Sequence, residues 1–519
     1  MKGKIVFIST VLMSFLAVSL CFGGGRQAVS SSDSLTVLMW ARDIAVSGNM
    51  EYYKNLQAQT GINADITTVI GTEWSTRLNL MFASGDYADV ILRGTVDVER
   101  YGVDQKILIP LEDHVDRSMP TYRALLSRDP ALKDYMRASD GHVYYTGFLL
   151  PQNINVERHL FINKTWLDKV GLGIPRTFDE LENALRTFKD KDLNGNGRND
   201  EFPLSGIMDG NESILESLSF FGIPYRGTPI WLHITDDYRV VSQLQHQNFR
   251  AAMEALNRWY RDGLIDIEAL TQNLSSFEAK INNEQVGMLW RWRMMAMLTP
   301  DEIVEQYVGI LPVAAIPGVT PVVNRYLELP TYGAMITTAC KDIEKASKWI
   351  DAQYSFENQL NGYYGPYKEV IQGGSSMKYG WEFDAKGKVD FYAGDIESIP
   401  NQSALHFFSG PEYFERFNMP PQRIEKTEYC EMYTNAGMVE RNAATILTNL
   451  VTMSPADMAQ RDLLAAQIDT FAKESITNFI SRGVTDVSWN SFTTTLQNLR
   501  IGEYIRLYQS AYDRYHASL

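Results

Sequence analysis

A segment rich in oxygen-bearing side chains, KDKDLNGNGRNDEFPLSG at residues 189–206, has the composition of a calcium-binding loop. Calcium takes several hard oxygen ligands in a flexible geometry, and its loops need a glycine where the backbone turns sharply. Counting from Asp192 as position 1, asparagines occupy positions 3 and 5 and Gly197 occupies position 6, as at the start of an EF-hand loop. The predicted ligands are the side chains of Asp192, Asn194, Asn196, Asp200 and Glu201 and the carbonyl of Arg198.

Position 12 of this loop departs from the EF-hand pattern, because Pro203 stands where a bidentate glutamate is usual. Glu201 is the nearest acid that could replace it, and the following FPLSG does not predict a second helix. Calcium sensors open a pair of helices, so a loop with one helix favours a structural site over a sensor. The alternative is a solvated, asparagine-rich turn without a metal ion.

The helix before the loop is predicted from TFDELENALRTFKDK at residues 177–191. Thr177 and Glu180 have the spacing of a capping box, in which each side chain bonds the backbone of the other residue. The apolar residues that share one face of this helix are Phe178, Leu181, Leu185 and Phe188.

Strands and helices alternate near the start of the chain. LTVLMW (35–40), ADITTVI (64–70) and ADVILRG (88–94) predict strands, and the segments between them have helical periodicity. Strands that alternate with helices indicate βαβ units and a mostly parallel sheet.

Aromatic residues beside charged ones mark candidate ligand contacts near two predicted strand ends. MWARD (39–43) ends the first strand, and LWRWR (289–293) places two tryptophans on one face of an extended segment and two arginines on the other. Ligands of open α/β sheets bind outside the carboxyl ends of the strands, and an indole face can stack on a sugar ring. A core role for these tryptophans is the alternative.

The N-terminus predicts export. MKGK is positively charged, and the apolar run that follows it ends at FGGGRQ. Since the run is close to the shortest length that crosses a bilayer, a membrane anchor is the alternative. Cys21 ends the run, as the lipidated cysteine of a bacterial lipoprotein does, although Leu20 stands where a small residue is usual. Ordinary cleavage near Gly23 is the alternative to lipidation.

The chain has 519 residues, which predicts at least two domains. Lys and Arg total 48 and Asp and Glu total 63, so the net charge of −15 disfavours nucleic acid or anionic lipid as the main partner. Cys340 and Cys430 are too few for a disulfide framework, and whether they pair stays open. The seven histidines show no metal-binding spacing, and neither a P-loop nor a G-x-S-x-G elbow occurs.

Several motifs, in order along the chain, resemble those of the sugar-binding class of extracellular solute-binding proteins of ABC transporters. FASGDYADVILRG (82–94) resembles the signature after the second helix, and FINKTWLDKVGLGIPRTFDELENAL (161–185) resembles the entry to the second lobe. DLNGNGRNDEFPL (192–204) and KYGWEFDAKGKVDFY (378–392) resemble the branch that includes alginate-binding and lipoprotein-type oligosaccharide receptors. The C-terminal helical segment also fits that branch, so the similarity covers nearly the whole mature chain.

The resemblance implies an α/β, two-lobed periplasmic-binding-protein fold of type II. Each lobe would hold a mostly parallel sheet flanked by helices, and crossover segments would form the hinge. The implied divisions are a lipoprotein-type signal peptide at 1–20, the first lobe at 33–157 with its return at 328–397, the second lobe with the calcium loop at 158–327, and a helix-rich part, mainly of the second lobe, at 398–519.

The resemblance also implies a receptor without catalytic activity. An oligosaccharide would bind in the cleft between the lobes, and closure would present the loaded protein to a membrane permease. The protein would be a monomer, periplasmic or at the cell surface, held to the membrane through a lipid anchor only, with calcium as a structural ion bound by the six loop residues and remote from the cleft. The predicted ligand contacts, by position, are Trp40, Arg42, Trp74, Arg93, Trp290 and Trp292.

Two points of function stay open. Several arginines near the cleft suit an acidic sugar such as a uronate, although arginines also bond neutral hydroxyls. The export signal and the calcium loop fit a secreted polysaccharide-degrading enzyme as well as a receptor, and a peptide-binding or signalling receptor on the same fold is a third possibility. The family motifs and the missing catalytic pattern favour the sugar receptor.

Overall fold

A computed structural model describes most of the chain. The described residues are 33–41, 51–128, 133, 135–148, 156, 158–208, 210, 212–225, 230–292, 294, 299–326, 331–368, 371–372, 378–391, 405, 415–418, 421–441, 446–447, 451 and 453–517.

Strands and helices alternate over the first two thirds of the chain, and helices dominate the last third. The strands are β1 (Leu35–Ala41), β2 (Ala64–Ile70), β3 (Val90–Leu92), β4 (Gly147–Phe148), β5 (His159–Asn163), β6 (Phe202–Leu204), β7 (Leu232–Ile234), β8 (Val240–Ser242), β9 (Val286–Arg291), β10 (Tyr307–Ile310), β11 (Thr331–Tyr332), β12 (Ala334–Ile336), β13 (Ile371–Gln372), β14 (Lys378–Tyr379), β15 (Trp381–Phe383) and β16 (Val389–Phe391). The helices are α1 (Glu51–Thr60), α2 (Trp74–Ser84), α3 (Glu112–Ser118), α4 (Pro120–Leu126), α5 (Lys164–Lys169), α6 (Phe178–Lys189), α7 (Phe249–Arg261), α8 (Leu274–Asn282), α9 (Asp301–Val304), α10 (Ile343–Gln353), α11 (Phe356–Tyr364), α12 (Pro421–Asn435), α13 (Pro455–Arg482), α14 (Asp486–Asn498) and α15 (Ile501–Ala517).

The first lobe is built on a four-stranded sheet with the order β12-β3-β1-β2. β1 pairs in parallel with both β2 and β3, whereas β12 pairs antiparallel with β3. The side chains alternate across this sheet, so that Val37 and Leu92 contribute to one apolar cluster and Leu38 and Ile91 to another. The sheet is therefore mostly parallel, as predicted, and is covered on both faces.

The second lobe is built on a sheet with the order β10-β5-β9-β6. Only β6 and β9 pair in parallel, while β5 is antiparallel to both β9 and β10. Three of its four strands, β6, β9 and β10, therefore run in one direction, as in the first sheet, and β5 runs opposite to them between β9 and β10. The physical reason is that β5 is the strand by which the chain enters the lobe, so it runs opposite to the strands that follow the lobe's own helices and loops.

In both sheets, the strand by which the chain enters the lobe is the antiparallel one. In the first lobe the entering strand is β12, which comes from the second lobe and is the antiparallel member of its sheet. Each entering strand begins beside the carboxyl ends of its neighbours: Ala334 pairs with Leu92, and His159 pairs with Arg291. The crossovers therefore reach both sheets at their carboxyl edges, and these two edges border the region between the lobes.

Three passages of the chain meet in the crossover region. Val156 forms an antiparallel bridge with Arg325, and Val323 forms a parallel bridge with Val439. The backbone N–H of Val323 donates to the carbonyl of Met438 at 2.7 Å. The predicted boundaries at 157, 327 and 397 lie in or beside segments outside the described residues, and they stay predictions.

The C-terminal helices pack on the second lobe. One apolar cluster joins Trp290 of β9, Ile476 of α13 and Tyr504 of α15. Among the described residues, no helix is both long enough and apolar enough to cross a membrane. Cys340 and Cys430 are both buried free thiols, so they do not pair.

Candidate functional site

The carboxyl ends of the neighbouring strands β1 and β3 bring two predicted ligand contacts together. Trp40 is half-buried near the end of β1, and Arg93 directly follows β3. The guanidinium carbon of Arg93 lies 5.9 Å from the centroid of the Trp40 ring, within the range of a cation–π contact. An aromatic face and a hydrogen-bond donor therefore stand side by side at this edge.

Arg93 has a left-handed backbone conformation, with φ of 62°. This region is sparsely populated by residues other than glycine, and such strain costs on the order of 1–3 kcal/mol. The backbone N–H of Arg93 donates to the carbonyl of Gly333 at 2.6 Å. The entering strand of the first sheet therefore fixes the direction in which Arg93 leaves β3.

A cavity of about 200 Å³ lies where the chain after β3 meets the start of the C-terminal helices. On the first-lobe side its lining includes Asp97, Glu99, Tyr135, Tyr145 and Tyr332. On the other side it is closed by residues at and just before α13, namely Val451, Met453, Met458 and Arg461. The cavity is thus shared between the first lobe and the helices that pack on the second.

Tyr145 and Tyr332 form the aromatic wall of the cavity. Their ring centroids are 4.6 Å apart, at an interplanar angle of 54°. Burial raises the pKa of both hydroxyls, and the negative charges of Asp97 and Glu99 raise the pKa of Tyr332 further. Both hydroxyls therefore stay protonated at neutral pH and can donate hydrogen bonds.

The third tyrosine of the cavity, Tyr135, links the two lobes. It lies beside Tyr515 near the end of α15. Burial first, and then Tyr135, raise the pKa of Tyr515 to about 12. A first-lobe side chain therefore contacts a C-terminal helix of the second lobe directly beside the cavity.

Two carboxylates follow β3 into the cavity. Glu99 accepts hydrogen bonds from the backbone N–H of Ser139, at 2.8 Å, and from its hydroxyl. Asp97 accepts from the backbone N–H of Arg100 at 3.0 Å. Carboxylates in this position can accept hydrogen bonds from the hydroxyl groups of a sugar.

The carboxyl edge of the second sheet presents Trp292. Its ring is half-buried and packs edge-on against Tyr326, with 5.7 Å between the centroids. Its carbonyl oxygen lies 3.2 Å from Nδ1 of His159, the first residue of the entering strand β5. Trp292 is therefore positioned at the edge that borders the region between the lobes, where a ligand contact was predicted.

Trp290 and Trp74 lie in the cores instead. The Trp290 side chain is 1% exposed, and its Nε1 donates to Oγ of Ser217 at 3.2 Å. Trp74 is 4% exposed and donates to the carbonyl of Thr95 at 2.9 Å. In this conformation neither indole can contact a solute. Both tryptophans are core residues, which is the alternative that the sequence left open. Arg42 and Cys21 lie outside the described residues.

The cavity tyrosines were missed by the sequence analysis, which considered tryptophans. Tyr145 precedes β4 and Tyr332 ends β11, and the two strands pair with each other, so their proximity depends on a long-range contact. The chain has 27 tyrosines, too many for residue type alone to single these out. The position of Tyr332, just before a strand of the first sheet, is the one local signal that points to it.

The predicted calcium ligands are brought together in the loop after α6. The carboxylate of Asp192 accepts from the backbone N–H groups of Gly195, Asn196 and Gly197 at 2.8–3.0 Å. The amide nitrogens of Asn194 and Asn196 lie 3.3 Å and 3.0 Å from Oδ1 of Asp200. Hydrogen bonds from Asn196 first, and also from Asn194 and Gln285, keep the pKa of Asp200 below its usual value.

Glu201 is the residue that best fits a bound cation. Its side chain is buried, and Oε1 accepts from the backbone N–H of Leu193 at 2.6 Å. Its other oxygen, Oε2, is buried and has no hydrogen-bond partner within the described chain. An unpaired buried carboxylate oxygen is costly, and a calcium ion would satisfy it.

The donor set of the loop is that of a hard cation. Within the described residues, no three His, Cys, Asp or Glu side chains form a group that could hold a metal ion. A metal in the loop would therefore depend on the amide and carbonyl oxygens of Asn194, Asn196 and Arg198 as well as the acids. Such all-oxygen sets suit calcium and not the softer transition metals.

The loop and Trp292 lie at opposite ends of the second sheet. The loop leads into β6, and Phe202 donates to the carbonyl of Gln285, the residue just before β9. β9 then runs for 6 residues to Arg291 at the other edge, a length of about 20 Å.

The capping box of Thr177 and Glu180 is present, and a strand, not a second helix, follows the loop. Both of these predictions are confirmed.

Comparison with known proteins gives matches over most of the chain. The sequence profile of the family described as bacterial extracellular solute-binding protein matches residues 46–360. The chain is 26% identical to the fructooligosaccharide ABC transporter substrate-binding protein FusA of Streptococcus pneumoniae serotype 4 over 498 residues, which cover 90% of this chain and 87% of FusA. It is 22% identical over 446 residues to lipoprotein LipO of Bacillus subtilis, with 82% of each chain covered.

Solved structures match the fold. FusA of S. pneumoniae in complex with kestose has a TM-score of 0.78 at 24% identity, covering 94% of this chain and 100% of FusA. A FusA described as an EF-hand mutant, in complex with fructo-nystose, has a TM-score of 0.76, again at 24% identity with 94% and 100% covered. The alginate-binding protein AlgQ2 without calcium ion has a TM-score of 0.67 at 21% identity, covering 92% of this chain and 98% of AlgQ2. These likenesses confirm the predicted fold class.

Proposed function

Because the chain belongs to the family of bacterial extracellular solute-binding proteins, we propose that it captures an oligosaccharide between its lobes and delivers it to the membrane permease of an ABC transporter. The observation that supports this most is the cavity at the carboxyl edge of the first sheet. Tyrosines, carboxylates and Arg137 line it on the first-lobe side, and Arg461 lines it on the other. The similarity to FusA, a fructooligosaccharide ABC transporter substrate-binding protein, supports the same class of ligand.

Capture uses stacking and hydrogen bonds. The rings of Tyr145 and Tyr332 offer apolar faces to a sugar ring, and their protonated hydroxyls donate to ring or hydroxyl oxygens. Asp97 and Glu99 accept from sugar hydroxyls. Because the wall of the cavity comes from both lobes, a bound sugar contacts both of them and stabilises the closed form.

The crossovers allow the lobes to move while each sheet stays intact. A solute that bridges the lobes shifts the protein to the closed form, whose surface the permease distinguishes from the open form. No bond of the solute is made or broken, since the function requires capture and release only. A monomer is proposed, and the fact that one chain supplies both walls of the cavity supports it.

The function is tested by thermal denaturation of the mature protein with a panel of oligosaccharides and peptides. A ligand present at about one hundred times its dissociation constant stabilises the folded state by about 2.7 kcal/mol. We expect at least one oligosaccharide to raise the Tm and no peptide to do so. Release of shortened sugars over many turnovers would contradict the proposal and favour the polysaccharide-degrading enzyme.

Tyr332 is proposed as a direct sugar contact. The Tyr332→Ala variant removes one ring of the aromatic wall, so we expect the sugar affinity, measured by isothermal titration calorimetry, to fall about tenfold or more. Tyr238→Ala serves as the control, because Tyr238 is 38% exposed, packs on His516 and does not line the cavity. An unchanged affinity for Tyr332→Ala would exclude this residue from the binding site.

Calcium is proposed as a structural ion of the second lobe. Asp192, Asn194, Asn196, Asp200 and Glu201, with the carbonyl of Arg198, would hold it, and the buried Oε2 of Glu201 supports this set. The description of a FusA variant as an EF-hand mutant supports a comparable loop in that relative. The ion supplies positive charge that holds the acidic loop against the start of β6 and β9.

Attachment to the membrane is proposed through lipidation of Cys21. The position of this cysteine at the end of the apolar run supports the proposal, as does the similarity to the lipoprotein LipO. The protein would then be exported and held at the cell surface or in the periplasm by its lipid, with the lobes free to open and close in the aqueous phase.

A further inference from the structure

The charges around the cavity bear on which sugars it accepts. Among the described residues, four charged side chains line it: Asp97, Glu99, Arg137 and Arg461. Arg461 is neutralised by Asp462, whose Oδ1 accepts from Nε at 2.8 Å and lies 2.7 Å from Nη2. Its charge is therefore already paired when a ligand arrives.

The two carboxylates hydrogen-bond to neutral groups. The partners of Glu99 are the backbone N–H and hydroxyl of Ser139, and the partner of Asp97 is the backbone N–H of Arg100. Within the described part of the chain, neither carboxylate forms an ion pair. Their negative charges act inside the cavity, because both raise the pKa of the Tyr332 hydroxyl.

Arg137 is the other guanidinium among the described residues of the lining. It is exposed, and its Nη1 donates to the carbonyl of Gly141 at 2.7 Å. With Asp462 included, the described charges at the cavity are three carboxylates and two guanidiniums, an excess of one negative charge.

We infer that the sugar unit held in this cavity is neutral and that a uronate is rejected. The inference rests on the proposed oligosaccharide capture and specifies its ligand class. Asp97 is exposed and Glu99 is half-buried, so a uronate carboxylate brought close to them meets like charge that solvent screens in part. Repulsion of about 1 kcal/mol or more lowers affinity by roughly tenfold. The same carboxylates favour a neutral ring, because they accept hydrogen bonds from its hydroxyls.

The size of the cavity limits how much of the ligand it holds. Its volume of about 200 Å³ is below the roughly 300–1,000 Å³ of sites that enclose drug-sized ligands. One sugar ring therefore lies inside, between Tyr332 and Met458, and the rest of the oligosaccharide extends from it along the cleft. The charge of the enclosed ring therefore determines whether the cavity binds the oligosaccharide.

The relatives differ in the charge of their ligands. FusA is in complex with kestose, a neutral sugar, whereas AlgQ2 is an alginate-binding protein, and alginate is acidic. The sequence suggested an acidic sugar because several arginines lie near strand ends. The inference from the cavity replaces it with a neutral sugar. Arg93 contacts the Trp40 ring instead of lining the cavity. The acids that follow β3 set the charge of the site.

The test compares sugars that differ in charge only. Trigalacturonate and its fully methyl-esterified form share ring and linkage, and kestose, maltotriose and an alginate trisaccharide extend the panel. We expect only neutral sugars to raise the Tm. A rise with trigalacturonate or the alginate trisaccharide equal to or above that of the neutral sugars would overturn this inference and leave the proposed function intact. A flat response to every sugar would overturn both.

A charge variant tests which residues are responsible. In the double variant Asp97→Asn with Glu99→Gln, we expect the discrimination against uronates to shrink at least about tenfold, measured as the ratio of the two dissociation constants. Asp236→Asn with Asp237→Asn, in the turn between β7 and β8, removes the same charge elsewhere and should leave the ratio unchanged. An equal change in both double variants would show an effect of net charge and contradict the assignment to the cavity.

Discussion

Replacement of Trp290 by alanine is expected to lower the free energy of unfolding by about 3–5 kcal/mol, the usual cost of removing a buried aromatic side chain. The indole is 1% exposed and packs 5.9 Å from the ring of Phe220 in the core of the second lobe. The variant also leaves Oγ of Ser217 without its donor. Chemical denaturation followed by circular dichroism measures the change.

Trp292→Ala is the matched control, since it removes the same side chain two residues further along. The ring is half-buried at the cleft edge, so we expect a smaller loss of stability and a clear loss of sugar affinity. Trp290→Ala, measured at a temperature where it stays folded, should bind sugar nearly as the parent protein does. The reverse pattern, with affinity lost only in Trp290→Ala, would contradict the placement of these two residues.

Removal of calcium is expected to destabilise the protein by about 2.7 kcal/mol if free calcium is about one hundred times its dissociation constant. For a protein of this size, that corresponds to a fall in Tm of about 2–3 °C. The reason is that the loop collects acidic side chains and leaves Oε2 of Glu201 buried without a partner. Differential scanning calorimetry with and without a chelator measures the shift.

The Glu201→Gln variant separates the metal from other effects of chelation. It keeps the side-chain shape and removes the charge, so the chelator should shift its Tm much less than it shifts the Tm of the parent protein. Sugar affinity should survive in both, because no residue of the loop lines the cavity and the loop lies at the end of the second sheet opposite to Trp292. Loss of sugar binding on chelation without a fall in Tm would contradict a structural role for calcium.

Features made by neighbouring residues were predictable from the sequence. The calcium loop is contiguous, so the spacing of its acids and asparagines is also its geometry. The same holds for the capping box of Thr177 and Glu180, which is found as predicted. The alternation of strands and helices at the start of the chain was equally local, and the parallel pairing of β1 with β2 and β3 followed.

The direction of β5 was not predictable in this way. Its apolar sequence indicates a strand, but the pairing partner and the sense of the pairing depend on where the chain enters the lobe. The structure shows β5 antiparallel to β9 because the crossover delivers it at the edge where β9 ends. The order of elements along the chain does not contain that information.

The sequence by itself determined the family motifs, the loop at residues 192–201 that is predicted to bind calcium, and the local elements, because these depend on residues close together in the chain. The tertiary structure decided which side chains face the cleft. It separated Trp290 from Trp292, since neighbouring positions of one segment packed against a core and an open edge. It also assembled the cavity from Glu99, Tyr145, Tyr332 and Arg461, residues that only long-range strand pairing and helix packing bring together.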